Sequence, residues 1–66
     1  MRVTVNDEAR ETASTTLAGL LAELGVAQEP AVAAAVDGQV VPRSRWEACP
    51  LPPGAQVLVI RAAQGG

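Results

Sequence analysis

The sequence predicts a small α+β domain in which a five-stranded mixed sheet carries one main helix on one face, in the order β-β-α-β-β-(short helix)-β. Residues 1–5 alternate apolar and polar side chains, which is the period-two pattern of a half-buried strand. Leucines recur at positions 17, 20, 21 and 24, the spacing of one helical face that packs on a sheet. Asp37-Gly38 stands between two short apolar runs and is a strong signal for a tight hairpin.

The first two strands are expected to form a hairpin. Met1, Val3 and Val5 should face inward from the first strand because side chains alternate between the two faces of a sheet. Residues 6–8 have the composition of a turn, and residues 10–13 are expected to form the returning strand.

A helix of about ten residues is expected next, with Thr15 or Thr16 as its N-cap. Gly25 lies where a helix commonly ends in a left-handed glycine. Gly19 lies inside the helix, where glycine costs about 1 kcal/mol relative to alanine, and no local sequence pattern explains it.

The alanine-rich run 32–36 is by itself compatible with a helix or a strand. Pro30 before it and the Asp37-Gly38 turn after it favour a strand, with residues 39–41 as the returning strand. The small side chains of this run predict a thin core beside it.

Residues 42–47 are expected to form a short helical turn that docks Trp46, the only aromatic side chain, against the end of the core. Arg43 and Arg45 on this turn are expected to be solvated. Cys49 has no cationic or basic neighbour in the sequence, so we expect a small core or edge residue rather than a reactive thiol.

The last strand is expected over residues 56–62, after a type II turn at Pro53-Gly54. Its apolar, β-branched run 57–60 is typical of an inner strand. We expect residues 1–62 to form the folded domain and residues 63–66 to form a flexible C-terminal tail with a free carboxylate. Glycine has no Cβ, so such a tail can enter a narrow slot in another protein. The tail residues are Ala63, Gln64, Gly65 and Gly66.

Strand alternation also predicts an apolar surface. If Val57 and Val59 face the core, Leu58 and Ile60 face outward. Together with two residues of the neighbouring hairpin they would form a surface on which a partner protein docks. The alternative is that this side of the sheet is partly covered by the domain itself. The four residues, which we call the sheet patch, are Ala35, Val40, Leu58 and Ile60.

Composition excludes several functional classes. The net charge is −2 and the five cationic residues are scattered arginines, so a nucleic-acid partner is not expected. The chain has no histidine and one cysteine, which argues against a metal site, a Ser-His or Cys-His nucleophile and an internal disulfide. The sequence shows no signal peptide and no apolar run long enough for a membrane span, so we expect a cytoplasmic protein that is not an enzyme.

Several of these features occur together in one known family. They are the alternating segment Met1–Asn6, the helix start at Thr16-Leu17, the Leu20-Leu21 pair, the segment Val36–Arg43 followed by Trp46, and the final Gly65-Gly66. On these residues the whole chain resembles the sulfur carrier proteins of the thiamine pathway, the ThiS type of the ThiS/MoaD-like ubiquitin-like family. The resemblance implies a β-grasp, or ubiquitin-like, fold with the last strand in mid-sheet beside the first.

The resemblance also implies a chemistry for Gly66. An E1-like adenylyltransferase of the ThiF type would use ATP and Mg²⁺ to adenylate its carboxylate. Sulfur from the persulfide of a cysteine desulfurase would then convert Gly66 to a thiocarboxylate. Thiazole synthase, of the ThiG type, would accept that sulfur. The chain itself would bind no cofactor.

Two other interpretations stay open at this stage. The chain could carry sulfur for molybdopterin or another pathway, although the Val-Pro-Arg-x-x-Trp segment that ends at Trp46 is typical of the thiamine type. It could also be a ubiquitin-like protein modifier or an interaction module. A modifier and a carrier both need the Gly66 carboxylate, whereas an interaction module does not.

Overall fold

The computed structural model describes residues 1–61, so the predicted strand end at Ala62 and the tail residues lie outside the described residues. The elements in order are β1 (Arg2–Val5), β2 (Glu8–Glu11), α1 (Leu17–Glu23), β3 (Val32–Val36), β4 (Gln39–Val41), a 3₁₀ helix (Arg43–Ala48) and β5 (Gln56–Arg61). Within residues 1–61, no helix has the length and hydrophobicity required to cross a membrane.

The five strands form one mixed sheet in the order β2-β1-β5-β3-β4. β5 lies in the middle, parallel to β1 and antiparallel to β3. The hairpins β1–β2 and β3–β4 are antiparallel and form the two edges. This order, with one helix on one face, confirms the predicted β-grasp fold.

The core lies between α1 and the inner face of the sheet. Leu17, Leu20 and Leu21 are fully buried, as the helical spacing predicts. Val3 and Val57 meet them from the two central strands. Burial of these branched side chains is the main stabilising contribution available to so small a domain.

Trp46 closes one end of this core, as predicted. It is 4% exposed, and its indole Nε1 donates a hydrogen bond of 2.8 Å to the carbonyl of Val41. Arg43 is exposed, as predicted, but its guanidinium is also engaged by the protein. Its guanidinium stacks over the Trp46 ring at 4.3 Å and donates to the carbonyls of Ala27 and Glu29. The 3₁₀ helix is thereby tied to the loop between α1 and β3.

The first hairpin is tighter than predicted. Asn6 and Asp7 both have positive φ angles, of 49° and 70°, which makes a two-residue turn of the kind that hairpins favour. The returning strand is therefore Glu8–Glu11 rather than residues 10–13. Met1 was predicted to face inward, but it precedes β1 and is 39% exposed.

The second hairpin and the end of α1 agree with the prediction. Asp37 and Gly38 have φ angles of 50° and 86°, again a turn with two left-handed residues. Thr16 is the N-cap of α1, and Gly25 follows its end with φ of 77°. The helix has seven residues rather than about ten.

Gly19 acquires a physical reason in the structure. A Cβ at this position would lie 3.0 Å from Oγ and 3.1 Å from Cβ of Ser14, and 3.4 Å from Oγ1 of Thr16. The N-cap hydrogen bond runs from the Gly19 N–H to Thr16 Oγ1, at 3.2 Å. Glycine lets the segment before the helix pack directly on its first turn.

Glu23 holds the same segment from the other end of α1. Its carboxylate accepts hydrogen bonds from the hydroxyls of Ser14 and Thr12, the latter at 2.6 Å, and Arg10 lies 4.0 Å away. These hydrogen bonds, first from Ser14 and then from Thr12, lower the pKa of Glu23 below its usual value of 4.5, and the charge of Arg10 adds to the effect.

Gly19→Ala is expected to give none of the stabilisation that a glycine-to-alanine change inside a helix normally brings, because the new methyl group meets Ser14. In a Ser14→Gly background, where that side chain is gone, the same change is expected to raise the free energy of unfolding by about 1 kcal/mol. Urea denaturation of the four proteins of this cycle measures the difference. A gain of about 1 kcal/mol from Gly19→Ala in the wild-type background would contradict the packing argument.

Glu23→Gln is expected to destabilise the domain at neutral pH and to have a smaller effect in acid. The folded-state pKa of Glu23 is lower than its unfolded value, so its contribution is present above the unfolded pKa and is lost as pH falls through the folded pKa. Urea denaturation at pH 7 and at successively lower pH measures the difference between variant and wild type. Glu47→Gln, an exposed carboxylate on the 3₁₀ helix, is the control. A difference that does not shrink in acid would contradict the assignment.

Candidate functional site

The face of the sheet opposite α1 carries a group of exposed apolar side chains. Within residues 1–61, three of the four exposed large apolar side chains lie on it, namely Val40 at 76%, Leu58 at 49% and Ile60 at 54% exposure. Val57 and Val59 point the other way, and Val57 is 3% exposed. The predicted orientation of the last strand is therefore the observed one.

Strand register brings the four residues of the sheet patch together. Ala35 of β3 lies directly opposite Val40 on one side and Leu58 on the other, so these three form one row across three strands. Ile60 lies further along β5, opposite Ala33. Ala35 is half-buried and small, so the surface at the middle of the row is recessed relative to Val40 and Leu58 on either side.

Ala33 is a member of this surface that the sequence analysis missed. It is exposed and pairs with Ile60, so it continues the apolar surface by one row. The signal was present in the sequence, because Ala33 stands two residues before Ala35 and so lies on the same face of β3.

The patch continues into an open depression toward β1. The depression has a volume of about 390 Å³. Thr4, Asn6 and Gln56 give it a polar side, whereas Ala35, Val40 and Leu58 form its apolar side. An apolar surface with a polar rim on one side is the usual character of a protein–protein contact surface.

Asn6 also fixes the position of β5 beyond the end of β1. Its side-chain amide donates to the carbonyl of Val59 at 3.2 Å, and its side-chain oxygen accepts from the Val59 N–H at 2.8 Å. The side chain thus takes the place of a further residue of β1 in the parallel ladder. The sequence analysis missed this role, because an asparagine after a strand indicates only a turn.

None of the four residues of the sheet patch carries an ionisable or nucleophilic group, so the patch can bind but cannot catalyse. Cys49 is half-buried against the core, with its thiol 3.8 Å from the carbonyl of Pro50. The predicted site residues Ala63, Gln64, Gly65 and Gly66 lie outside the described residues.

Comparison with solved structures finds a thiamine biosynthesis protein (ThiS) from Geobacter metallireducens twice. Its crystal structure is 28% identical in sequence, with a TM-score of 0.82, and the alignment covers 100% of both chains. Its NMR solution structure is 28% identical, with a TM-score of 0.79, and the alignment covers 100% of this chain and 88% of that chain. A comparison with curated proteins finds no match.

The sequence matches the model of the ThiS family over residues 3–66, which includes β1 from its second residue onward, every later strand and helix, and the Gly65-Gly66 pair. The similarity in sequence and the similarity in structure therefore extend over the same region. The chain belongs to the ThiS family.

Proposed function

We propose that this chain is a sulfur carrier of thiamine biosynthesis, in which Gly66 is the C-terminal residue and bears the sulfur. The family match through residue 66 is the observation that carries the proposal. The full-length similarity to a thiamine biosynthesis protein supports the pathway. In this proposal the chain is a covalent co-substrate in the cytoplasm, and the catalytic groups belong to its partners.

The proposed chemistry has three steps. The Gly66 carboxylate attacks the α-phosphate of ATP on an E1-like activating enzyme, with Mg²⁺ bound to the ATP, and pyrophosphate leaves. The terminal sulfur of a persulfide, derived from a cysteine desulfurase, then attacks the acyl carbon and displaces AMP. A thiol finally reduces the resulting acyl disulfide, which releases the Gly66 thiocarboxylate for transfer to thiazole synthase.

Activation is needed because a carboxylate is a poor electrophile. Substitution at a free carboxylate would have to expel an oxide ion, which is too unstable to leave. In the mixed anhydride with AMP, the group that leaves is AMP, which is stable. In each step the reacting group lies at the end of this chain. Each partner must therefore bind the folded domain and let the tail enter its active site. Gly65 and Gly66 fit this requirement, since a backbone without Cβ atoms enters a narrow channel without steric conflict.

The sheet patch is the surface we assign to docking on these partners. Leu58 and Ile60 lie on β5, the strand that leads directly to the tail, so a partner bound there would lie close to the start of residues 62–66. At about 3.3 Å per residue, the five residues after Arg61 span on the order of 16 Å when extended. Such a length would reach a buried catalytic centre while the domain stays at the surface.

The thiocarboxylate is expected to be visible in the intact mass of the chain after co-expression with its activating enzyme and sulfur donor. The mass should rise by the difference between one sulfur and one oxygen atom, because one carboxylate oxygen is replaced. Deletion of Gly66, or addition of one alanine after it, should abolish the shift. An unmodified wild-type chain would contradict the proposal, and conjugates of the chain with other proteins would instead support a modifier.

Leu58→Asp is expected to weaken binding to the activating enzyme at least about tenfold, because a charge would be buried in the apolar contact. Titration calorimetry measures the affinity, and circular dichroism should be unchanged because Leu58 lies outside the core. Ala22→Asp places the same charge on the exposed side of α1 and serves as the matched control. Equal affinities for Leu58→Asp and the wild type would show that docking uses another surface.

A further inference from the structure

The base of the tail is held by an ion pair that the proposed docking surface does not include. Arg61 is the last residue of β5, and its guanidinium donates two hydrogen bonds to the carboxylate of Glu29, from Nε to Oε1 at 3.1 Å and from Nη2 to Oε2 at 3.1 Å. Two hydrogen bonds from one guanidinium to one carboxylate restrict orientation as well as distance. Arg61 therefore has a defined direction relative to the loop that carries Glu29.

That loop is itself attached to the core. The Glu29 N–H donates to the carbonyl of Val26, at 3.1 Å, and Val26 is a buried core residue. Arg43 donates to the carbonyls of Ala27, at 2.6 Å, and of Glu29, while its guanidinium stacks on the buried Trp46. A continuous series of contacts thus leads from the core to Arg61.

The ion pair is on the opposite side of β5 from the sheet patch. Arg61 alternates with Ile60 and shares its side of the strand with Val57 and Val59, the side covered by α1 and the following loop. A partner seated on Leu58 and Ile60 would therefore leave the pair in place. The sheet patch that would dock a partner and the Arg61–Glu29 ion pair at the end of β5 therefore lie on opposite sides of the strand.

The pair contributes little to global stability. The side chains of Arg61 and Glu29 are 62% and 39% exposed, and water screens the attraction between exposed charges. Their effect is local to the end of β5. On the β1 side the ladder ends at Val5 and the side chain of Asn6 reaches only to Val59, so Arg61 is paired only with Val32 of β3. On the helical side of the sheet, the Glu29 carboxylate holds the side chain of the residue from which the tail continues.

We propose that Glu29 is a positioning residue that restrains Arg61, the residue from which the chain continues to Gly66. This inference rests on the proposed carrier function. A restrained Arg61 lowers the loss of conformational freedom that reaction of Gly66 in the partner's active site requires. Arg43 supports the same arrangement through the backbone of the loop.

The test is the steady-state adenylation of the chain by its activating enzyme, which is followed as ATP-dependent release of pyrophosphate. The wild type is compared with Glu29→Gln, Arg61→Gln and the exchanged pair Glu29→Arg/Arg61→Glu. We expect kcat/KM to fall roughly threefold to tenfold in each single variant, as expected for release of one or two restrained side chains. The exchanged pair should restore most of the loss. Glu47→Gln makes the same change of charge on the exposed 3₁₀ helix and should match the wild type.

Two further measurements separate positioning from folding and docking. Affinity for the activating enzyme without ATP should stay within about twofold of the wild type in all variants, because the sheet patch is intact. The Nε–Hε signal of Arg61 in a ¹⁵N NMR spectrum, which contains only five arginine side chains, should shift in Glu29→Gln and report loss of the pair. Thermal melts verify that every variant is folded.

Each outcome decides between the proposals. If the wild type is not adenylated, the carrier function is wrong and the positioning role falls with it. If the wild type is adenylated and Glu29→Gln has an unchanged kcat/KM despite the shifted Arg61 signal, only the positioning role is overturned. A loss of affinity equal to the loss of kcat/KM, or a failure of the folded exchanged pair to recover activity, would also overturn it.

Discussion

β5 is hydrogen-bonded on both sides, in parallel to β1 and in antiparallel to β3, and the other elements take their places around it. The Thr4 N–H donates to the carbonyl of Ala55, just before β5, and the Asn6 N–H donates to the carbonyl of Val57. The Asn6 side chain continues the ladder to Val59. Both edges of β5 are thus occupied as far as Val59, and the β3 edge is paired to Arg61. A central strand held in this way can carry an exposed apolar face while little of its edge is open.

The alanine-rich strand β3 affects both faces of the sheet. On the inner face Ala34 fills little space, and the volume is supplied by the leucines of α1 and by Trp46 at the end of the core. On the outer face Ala33 and Ala35 lie beside Ile60 and Leu58 and keep the surface low between larger side chains. The composition that makes the core thin thus also shapes the sheet patch.

Membership of the ThiS family and the exposed patch on β5 fit a protein that presents its chain end to others. In the proposed function one side of β5 binds the partner and the other side, through Arg61 and Glu29, restrains the strand end. This separation would allow one docking surface to serve several enzymes. It would also allow the restraint to be changed by mutation without a change in affinity.

Much of the fold followed from the sequence because it depends on local patterns. The leucine spacing predicted the buried face of α1, Asp37-Gly38 predicted the second hairpin, and strand alternation predicted that Leu58 and Ile60 are exposed. Local patterns did not reveal features that depend on residues distant in sequence. Met1 was expected to face inward, but it precedes β1 and is exposed. Arg43 is exposed as expected, and folding also brings the carbonyl of Ala27 in the α1–β3 loop to its guanidinium. Gly19 is in close contact with Ser14, and Asn6 pairs with a residue 53 positions away. The sequence determined the elements and their inward faces, since these depend on periodicity. Only the tertiary structure decided which polar side chains meet, since a hydrogen bond requires two groups to be placed within about 3 Å of each other.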